Sequence, residues 1–198
     1  MNYLAHAYLS FEHPEVLAGN MISDHVKGKT QYDYSAGIQA GIRLHRAIDE
    51  FTDLHPVTKE MMHIFRPQYR LYAGAFVDIV YDYCLANDPS EFKDDGELYR
   101  FSQKTYASLQ PYLDIFPFKF QAMFPHMVTH NWLYHYKGED GMQKSFNGLA
   151  YRATYLQESK IAFELFINNK EFFKQQYAQF FPSVKKFAAD TMRVLLEP

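Results

Sequence analysis

The sequence predicts an all-α protein, a single multi-helix bundle. Apolar residues recur at spacings of three and four along almost all of its 198 residues, and no segment sustains the two-residue alternation, bounded by hairpin turns, that marks a half-buried strand. Proline and glycine also stand where helices should start and stop. A first short helix is expected over Tyr3 to Ser10. A second begins at His13-Pro14, because proline suits a first turn, and ends near Lys27-Gly28. The third runs from Ser35 to Phe51 and stops ahead of Leu54-His55-Pro56, since the residue before a proline avoids the helical region. A helix from Pro56 to Phe65, a break at Pro67 and a long helix from Tyr69 to Ala86 follow. The stretch NDPSEFKDDGE, residues 87–97, reads as a loop. Further helices are expected over 97–110, 117–136, 139–150, 158–168 and 170–195, punctuated by Pro111, Pro117, Gly138 and Pro182. No repeat or low-complexity segment divides the chain, so one domain over residues 1–198 is expected.

Composition narrows the function. Hydrophobic residues make up 47%, charged residues 22% and the net charge is −3, which excludes a disordered chain and a generally basic nucleic-acid binder. An anionic partner would have to be met by a local patch. The one cysteine, Cys84, excludes an internal disulfide framework and a thiolate zinc cluster and suits a reducing cytoplasm. Any metal must therefore be held by histidine and carboxylate. The start MNYLAHAYLSFEHPE lacks a basic segment followed by a long apolar run, and no stretch reaches the roughly 18 apolar residues of a span, so a cytoplasmic protein without membrane partner is expected. Aromatic residues, at 18%, crowd toward the second half and are expected to fill the core.

The stretch GIRLHRAIDEFTDLHP, residues 41–56, keeps polar groups where its apolar stripe should lie. With His45 at zero and about 100° per residue, Leu44, Ile48 and Phe51 fall between about −120° and −60°, and Ile38 and Ile42 between about 20° and 60°. His45 and Asp49 fall at about 0° and 40°, inside the buried arc, with Arg46 and Asp53 near its edge. A core-facing carboxylate is costly unless it is paired or bound to metal. The same spacing recurs at Asn20 and Asp24, and at Asp78 and Asp82 within FVDIVYDYCL, a segment with almost no solvent face. His6, in NYLAHAYLS, adds an imidazole among apolar neighbours. Together His6, Asp24, His45, Asp49, Asp78 and Asp82 form a mixed nitrogen and oxygen set that suits Mn²⁺, Mg²⁺ or Fe²⁺ better than structural zinc. The competing reading is a network of buried ion pairs with Arg46, Arg43 or Arg70. His126 and His130, also four apart, read as surface or core filling.

These residues resemble a known family. NYLAHAYLS, GNMISDHVKG at 19–28, GIRLHRAIDEFTDLHP, VDIVYDYCL at 77–85 and FNGLAYRA at 146–153 together resemble bacterial acyl carrier protein phosphodiesterase, in order and spacing along nearly the whole chain. The resemblance implies an all-helical fold related to the HD phosphohydrolases. It implies an enzyme that hydrolyses the phosphodiester joining 4′-phosphopantetheine to a serine of holo-acyl carrier protein, with manganese as activating ion. On the motif positions it implies His6, Asp24, His45, Asp78 and Asp82 as metal ligands, and functional roles for Arg46, Asp49, Asp53 and Arg152. Arg46 is the candidate for holding phosphate, because its planar fork spans two oxygens. Asp49 either ligates or orients His45. Asn20, Lys27 and Arg152 are candidates for substrate contact, the last two within a basic rim for the acidic carrier. Where the family pattern has a histidine after the second aspartate, this chain has Tyr83. Two other readings of the residues are a phosphohydrolase acting on a nucleotide or small phosphoester and a non-catalytic helical binding protein.

Overall fold

A computed structural model describes residues 1–156 and 158–197. Among them the regular structure is helical, in α-helices joined by 3₁₀ turns. The helices are α1 (Tyr3–Tyr8), α2 (Pro14–Ile22), α3 (Ala36–Leu54), α4 (Pro56–Tyr69), α5 (Ala73–Ala86), α6 (Asp95–Leu109), α7 (Phe118–Thr129), α8 (Trp132–His135), α9 (Glu139–Arg152), α10 (Lys160–Asn168) and α11 (Lys170–Leu196). Helix α3 packs against both α2 and α11, and α5 meets α1, α4, α9 and α11. Helix α5 is buried on almost every side, as its run of apolar residues requires. No helix among the described residues is long and apolar enough to cross a membrane.

Local chemistry sets most boundaries. Ser35 caps α3 by accepting from the Ile38 N–H, and Asp94 caps α6 by accepting from the Glu97 N–H. The imidazoles of His13 and His55 cap α2 and α4 in the same way, each followed by a proline at the first helical position. His55, held extended ahead of Pro56, also ends α3, which runs to Leu54 rather than Phe51.

Three expectations need correction. Pro67 does not break α4; it lies in the last turn, where few residues follow, and the break comes at Arg70, whose φ of 44° leaves the helical region. Helix α5 accordingly starts at Ala73, after a 3₁₀ turn over Arg70–Tyr72. The stretch 117–136 is divided by Asn131, in the left-handed conformation at φ 41°, a position that asparagine tolerates better than most residues. Helix α2 ends at Ile22 instead of Lys27 and passes into 3₁₀ turns over Ser23–His25 and Gly28–Asp33.

The aromatic residues do fill the core. Phe65 stacks on Phe173 at 5.6 Å and on Phe76 at 5.4 Å, and Phe146 meets Phe76 edge-on at 5.0 Å, all fully buried. Cys84 is buried too.

Helices α2 and α3 approach so closely that only glycine fits where they cross. A Cβ on Gly19 would lie 2.0 Å from the Ile38 carbonyl oxygen, and one on Gly41 would lie 2.2 Å from that of Val16. Gly41→Ala is therefore expected to destabilise the protein by about 1–3 kcal/mol through overpacking, against the roughly 1 kcal/mol that alanine gains in helix propensity. Gly148→Ala, whose added Cβ meets its nearest neighbour, the Arg152 guanidinium, at 3.7 Å, is expected to be neutral or stabilising. Urea denaturation of the two variants checks this, and equal midpoints would refute the account.

Candidate metal centre

Helix α1 has six residues, too few to be stable alone. Asp82 of α5 holds it: one carboxylate oxygen accepts from the Leu4 N–H at 2.7 Å and the other from the Asn2 and Ala5 N–H groups at 3.2 Å each. Asp82 is fully buried, and burial pushes its carboxyl up to about 7 even though the three amides favour the charged form. Asp78, one turn earlier, accepts from the α-ammonium of Met1 at 2.8 Å; the same ammonium lies 3.4 Å from Asp49. Burial alone would discharge that amine, but Asp78 and Asp49 hold it charged, with a pKa of about 11.

With α1 fixed this way, His6 stacks on His45 of α3, ring centres 3.9 Å apart and planes within 17°. Asp49 bridges the two rings. One of its oxygens is 3.1 Å from His6 Nε2 and the other 3.1 Å from His45 Nε2. Asp24, on the 3₁₀ turn after α2, brings a further oxygen to 3.2 Å from His45 Nε2. His45 Nδ1 donates to the Asn20 backbone carbonyl at 2.9 Å, with the Asn20 side-chain oxygen at 3.1 Å. The Asn20 amide nitrogen in turn donates to the His6 carbonyl and to Ser10 Oγ, both at 3.0 Å. Donor atoms of His6, His45 and Asp49 all lie within 4.8 Å of one another, a set compatible with a divalent metal ion.

The two rings differ in charge. Burial disfavours a proton on His45, but hydrogen bonds to Asp24 and Asp49 outweigh it and hold the ring up at about 9. Burial and the charge on His45 push His6 down to about 4. Burial opposes the charge on Asp49, yet His6, His45 and the Met1 ammonium keep its carboxyl far below the usual range; the bond to His45 keeps that of Asp24 low as well. His45 is the better built of the two ligands, because its Nδ1–H already has an acceptor, whereas His6 Nδ1 is buried without a partner.

The structure thus brings His6, Asp24, His45, Asp49 and Asn20 together. Asp78 and Asp82 stand behind this group with their oxygens turned to the Met1 ammonium and the α1 amides, so the cation expected between them is replaced by backbone donors and an amine. Among the described residues no arginine pairs with any of these aspartates. Arg46 is exposed and ties down the next segment, donating to the Val26 carbonyl at 3.2 Å and to Gln31 Oε1 at 3.0 Å. Lys27 is exposed on that segment; Asp53, also exposed, lies one turn beyond Asp49, its carboxyl raised by partial burial. Arg152 ends α9, near enough for its charge to act on Tyr3 and His25. Tyr83 packs in the core against Phe166, ring centres 4.9 Å apart. His126 and His130 are exposed, as expected. Sequence reasoning missed the Met1 amine, Ser10 and Tyr3. Burial and the neighbouring Asp24 push the Tyr3 phenol up to about 12.

Compared with known proteins, the chain matches the family model described as acyl carrier protein phosphodiesterase over residues 1–184. It is 31% identical to the acyl carrier protein phosphodiesterase of Photorhabdus laumondii over 182 residues, 92% of each chain. It is 30% identical to that of Klebsiella pneumoniae over 188 residues, 95% of this chain and 97% of the relative. The corresponding protein of Yersinia enterocolitica is 29% identical over 96% of this chain and 98% of its own length. No solved structure matches.

The proton on His45 has a measurable consequence. A group raised from 6.5 to about 9 is charged at neutral pH, and an ion taking its Nε2 must displace that proton. His6 and Asp49 are already deprotonated there. Calorimetric titration of Mn²⁺ at pH 7 in buffers of different ionisation enthalpy is expected to show release of about one proton, with apparent affinity rising until about pH 9. In the metal-free protein the stabilisation from His45 is complete below pH 6.5 and lost as pH rises through about 9. Binding without proton release would place the ion elsewhere.

Proposed function

Since the chain belongs to the acyl carrier protein phosphodiesterase family, we propose that it is a phosphodiesterase that frees 4′-phosphopantetheine from holo-acyl carrier protein by hydrolysing the phosphodiester to the carrier's serine. The observation that carries a metal-assisted reaction is the convergence of two buried imidazoles and one carboxylate, opened toward solvent by Asp24, whose side chain is 70% exposed.

The proposed ion is Mn²⁺, held by His6, His45 and Asp49 with Asp24 at the open edge. When bound, such an ion lowers the pKa of water and neutralises charge on phosphate oxygens. The residues do the rest. Asn20 accepts the Nδ1–H of His45 and so leaves its Nε2 lone pair aimed inward. Asp82 and Asp78 keep α1, and with it His6, at its place. Arg46 and Arg152 supply guanidinium groups for the phosphate and the entering carrier, and Lys27 extends the basic edge. Asp53 lies beside the centre, where its charge adds to the attraction of a cation. In the balanced reaction the water oxygen bonds to phosphorus, the bond from phosphorus to the seryl oxygen breaks, and a proton goes to that oxygen.

Incubation of the protein with holo-carrier and Mn²⁺ is expected to remove the phosphopantetheine mass, read by intact mass spectrometry of the carrier. Asp49→Ala is expected to abolish the loss, whereas Asn20→Ala, which keeps the backbone carbonyl that accepts from His45 Nδ1 and loses the amide that holds the His6 carbonyl and Ser10, is expected to weaken metal affinity less than Asp49→Ala does. An unchanged carrier in the presence of bound metal would turn the assignment to another phosphoester.

A further inference from the structure

The 3₁₀ turn that brings Asp24 to the metal centre also brings the next residue, His25, to a separate pocket of about 550 Å³ between the start of α3 and the 3₁₀ turn Gln110–Ile115. We propose that this pocket receives the pantetheine arm of the carrier while its phosphate lies at the metal centre, an inference that rests on the function proposed above.

Continuity is the first argument. Asp24 and His25 are consecutive, so the open edge of the centre and the pocket meet at one turn. A linear ligand with phosphate at one end can occupy both. The volume falls within the roughly 300–1,000 Å³ of small-molecule sites. The walls also match the arm's chemistry, which is a chain of methylenes and a dimethyl group interrupted by two amides and a hydroxyl. Val26, Ile38 and Ile115 offer apolar surface, and Thr30, Tyr34 and Tyr112 offer hydroxyls. His25 lines the pocket with its ring edge-on to Phe120, centres 5.7 Å apart.

The charges disfavour the alternatives. The pocket is lined by the carboxylates Glu15 and Asp33, which would repel a second phosphate. Glu15 is already committed, accepting from Ser35 Oγ at 2.6 Å, which argues against a free cation as occupant. At the mouth Ile115 is 51% exposed, and beyond it Phe118 is 82% exposed next to Lys119, whose charge acts on His25. Apolar contact beside a cation is what an acidic carrier protein would meet.

The test uses pantetheine, which lacks the phosphate, as probe. Added to wild type loaded with diamagnetic Mg²⁺ it is expected to bind, with NMR shifts confined to residues around His25 and Tyr34. Thr30→Trp, which fills the pocket from an exposed position, is expected to lose that binding and to raise KM for holo-carrier about tenfold or more, while Mn²⁺ affinity stays at the wild-type value. Pantetheine shifts elsewhere, or equal binding by wild type and Thr30→Trp, would overturn the proposal. Because pantetheine binding is read without turnover, a wild type that binds it but leaves the carrier intact would sink the proposed reaction and not the pocket.

Discussion

A carboxylate with zero solvent exposure anchors this molecule. Asp82 lies inside the most buried helix, where burial pushes its carboxyl up to about 7 and three amides at the start of α1 stabilise the charged form. The compensation works in both directions. Without those amides the carboxyl would be neutral or α5 would not pack as it does; without the carboxylate a six-residue helix would have no reason to form. His6 is therefore positioned by electrostatics originating in a different helix, and so is the Met1 amine that meets Asp78 and Asp49 on the same side.

The second half of the centre depends on distance between backbones. Gly19 and Gly41 let α2 and α3 touch, and the contact sets Asn20 against His45, one residue after Gly19 and four after Gly41. A wider crossing, as larger residues would impose, would leave the His45 Nδ1–H unpaired and its ring free to turn. The stacked imidazoles share Asp49, and at neutral pH one of them is charged: Asp24 and Asp49 hold His45 up at about 9, while burial and the charge on His45 push His6 down to about 4. Donor atoms of both rings and of Asp49 lie within 4.8 Å of one another, an arrangement compatible with a divalent ion.

Much of this was legible in the sequence. The three-and-four spacing gave the helical class, and His45 and Asp49, read on the apolar arc of α3, lie beside His6 and Asp24 in the structure. The reading went astray where it assumed that buried aspartates need a metal or an arginine. Asp78 and Asp82 found their partners in backbone N–H groups and an α-amine, donors that every chain carries and that no residue pattern marks. Helix ends were missed for a similar reason. The stop at Arg70 and the division at Asn131 are set by single backbone conformations, at φ 44° and 41°, whereas Pro67 looks decisive in the sequence and is harmless in a last turn. The Gly19–Gly41 crossing lay in plain sight, but two glycines in different helices signal contact only when their partners across the interface are known.

The early end of α2 is the feature that ties the centre to its surroundings. Had α2 continued to Gly28, Asp24 and His25 would stand about 100° apart on one helical surface, with Asp24 directly above Asn20. In the tighter 3₁₀ turn successive side chains diverge by about 120°, and the chain is held there by Ser23 Oγ donating to the Ile42 carbonyl and, further on, by Arg46 donating to Val26. Asp24 is thereby directed at His45 while His25 faces the neighbouring pocket. The anchors come from α3, the helix that also supplies His45 and Asp49. A displacement of α3 would therefore shift ligand, turn and pocket wall together, so that the reacting end of a substrate and the groove for the rest of it keep a fixed relation to each other.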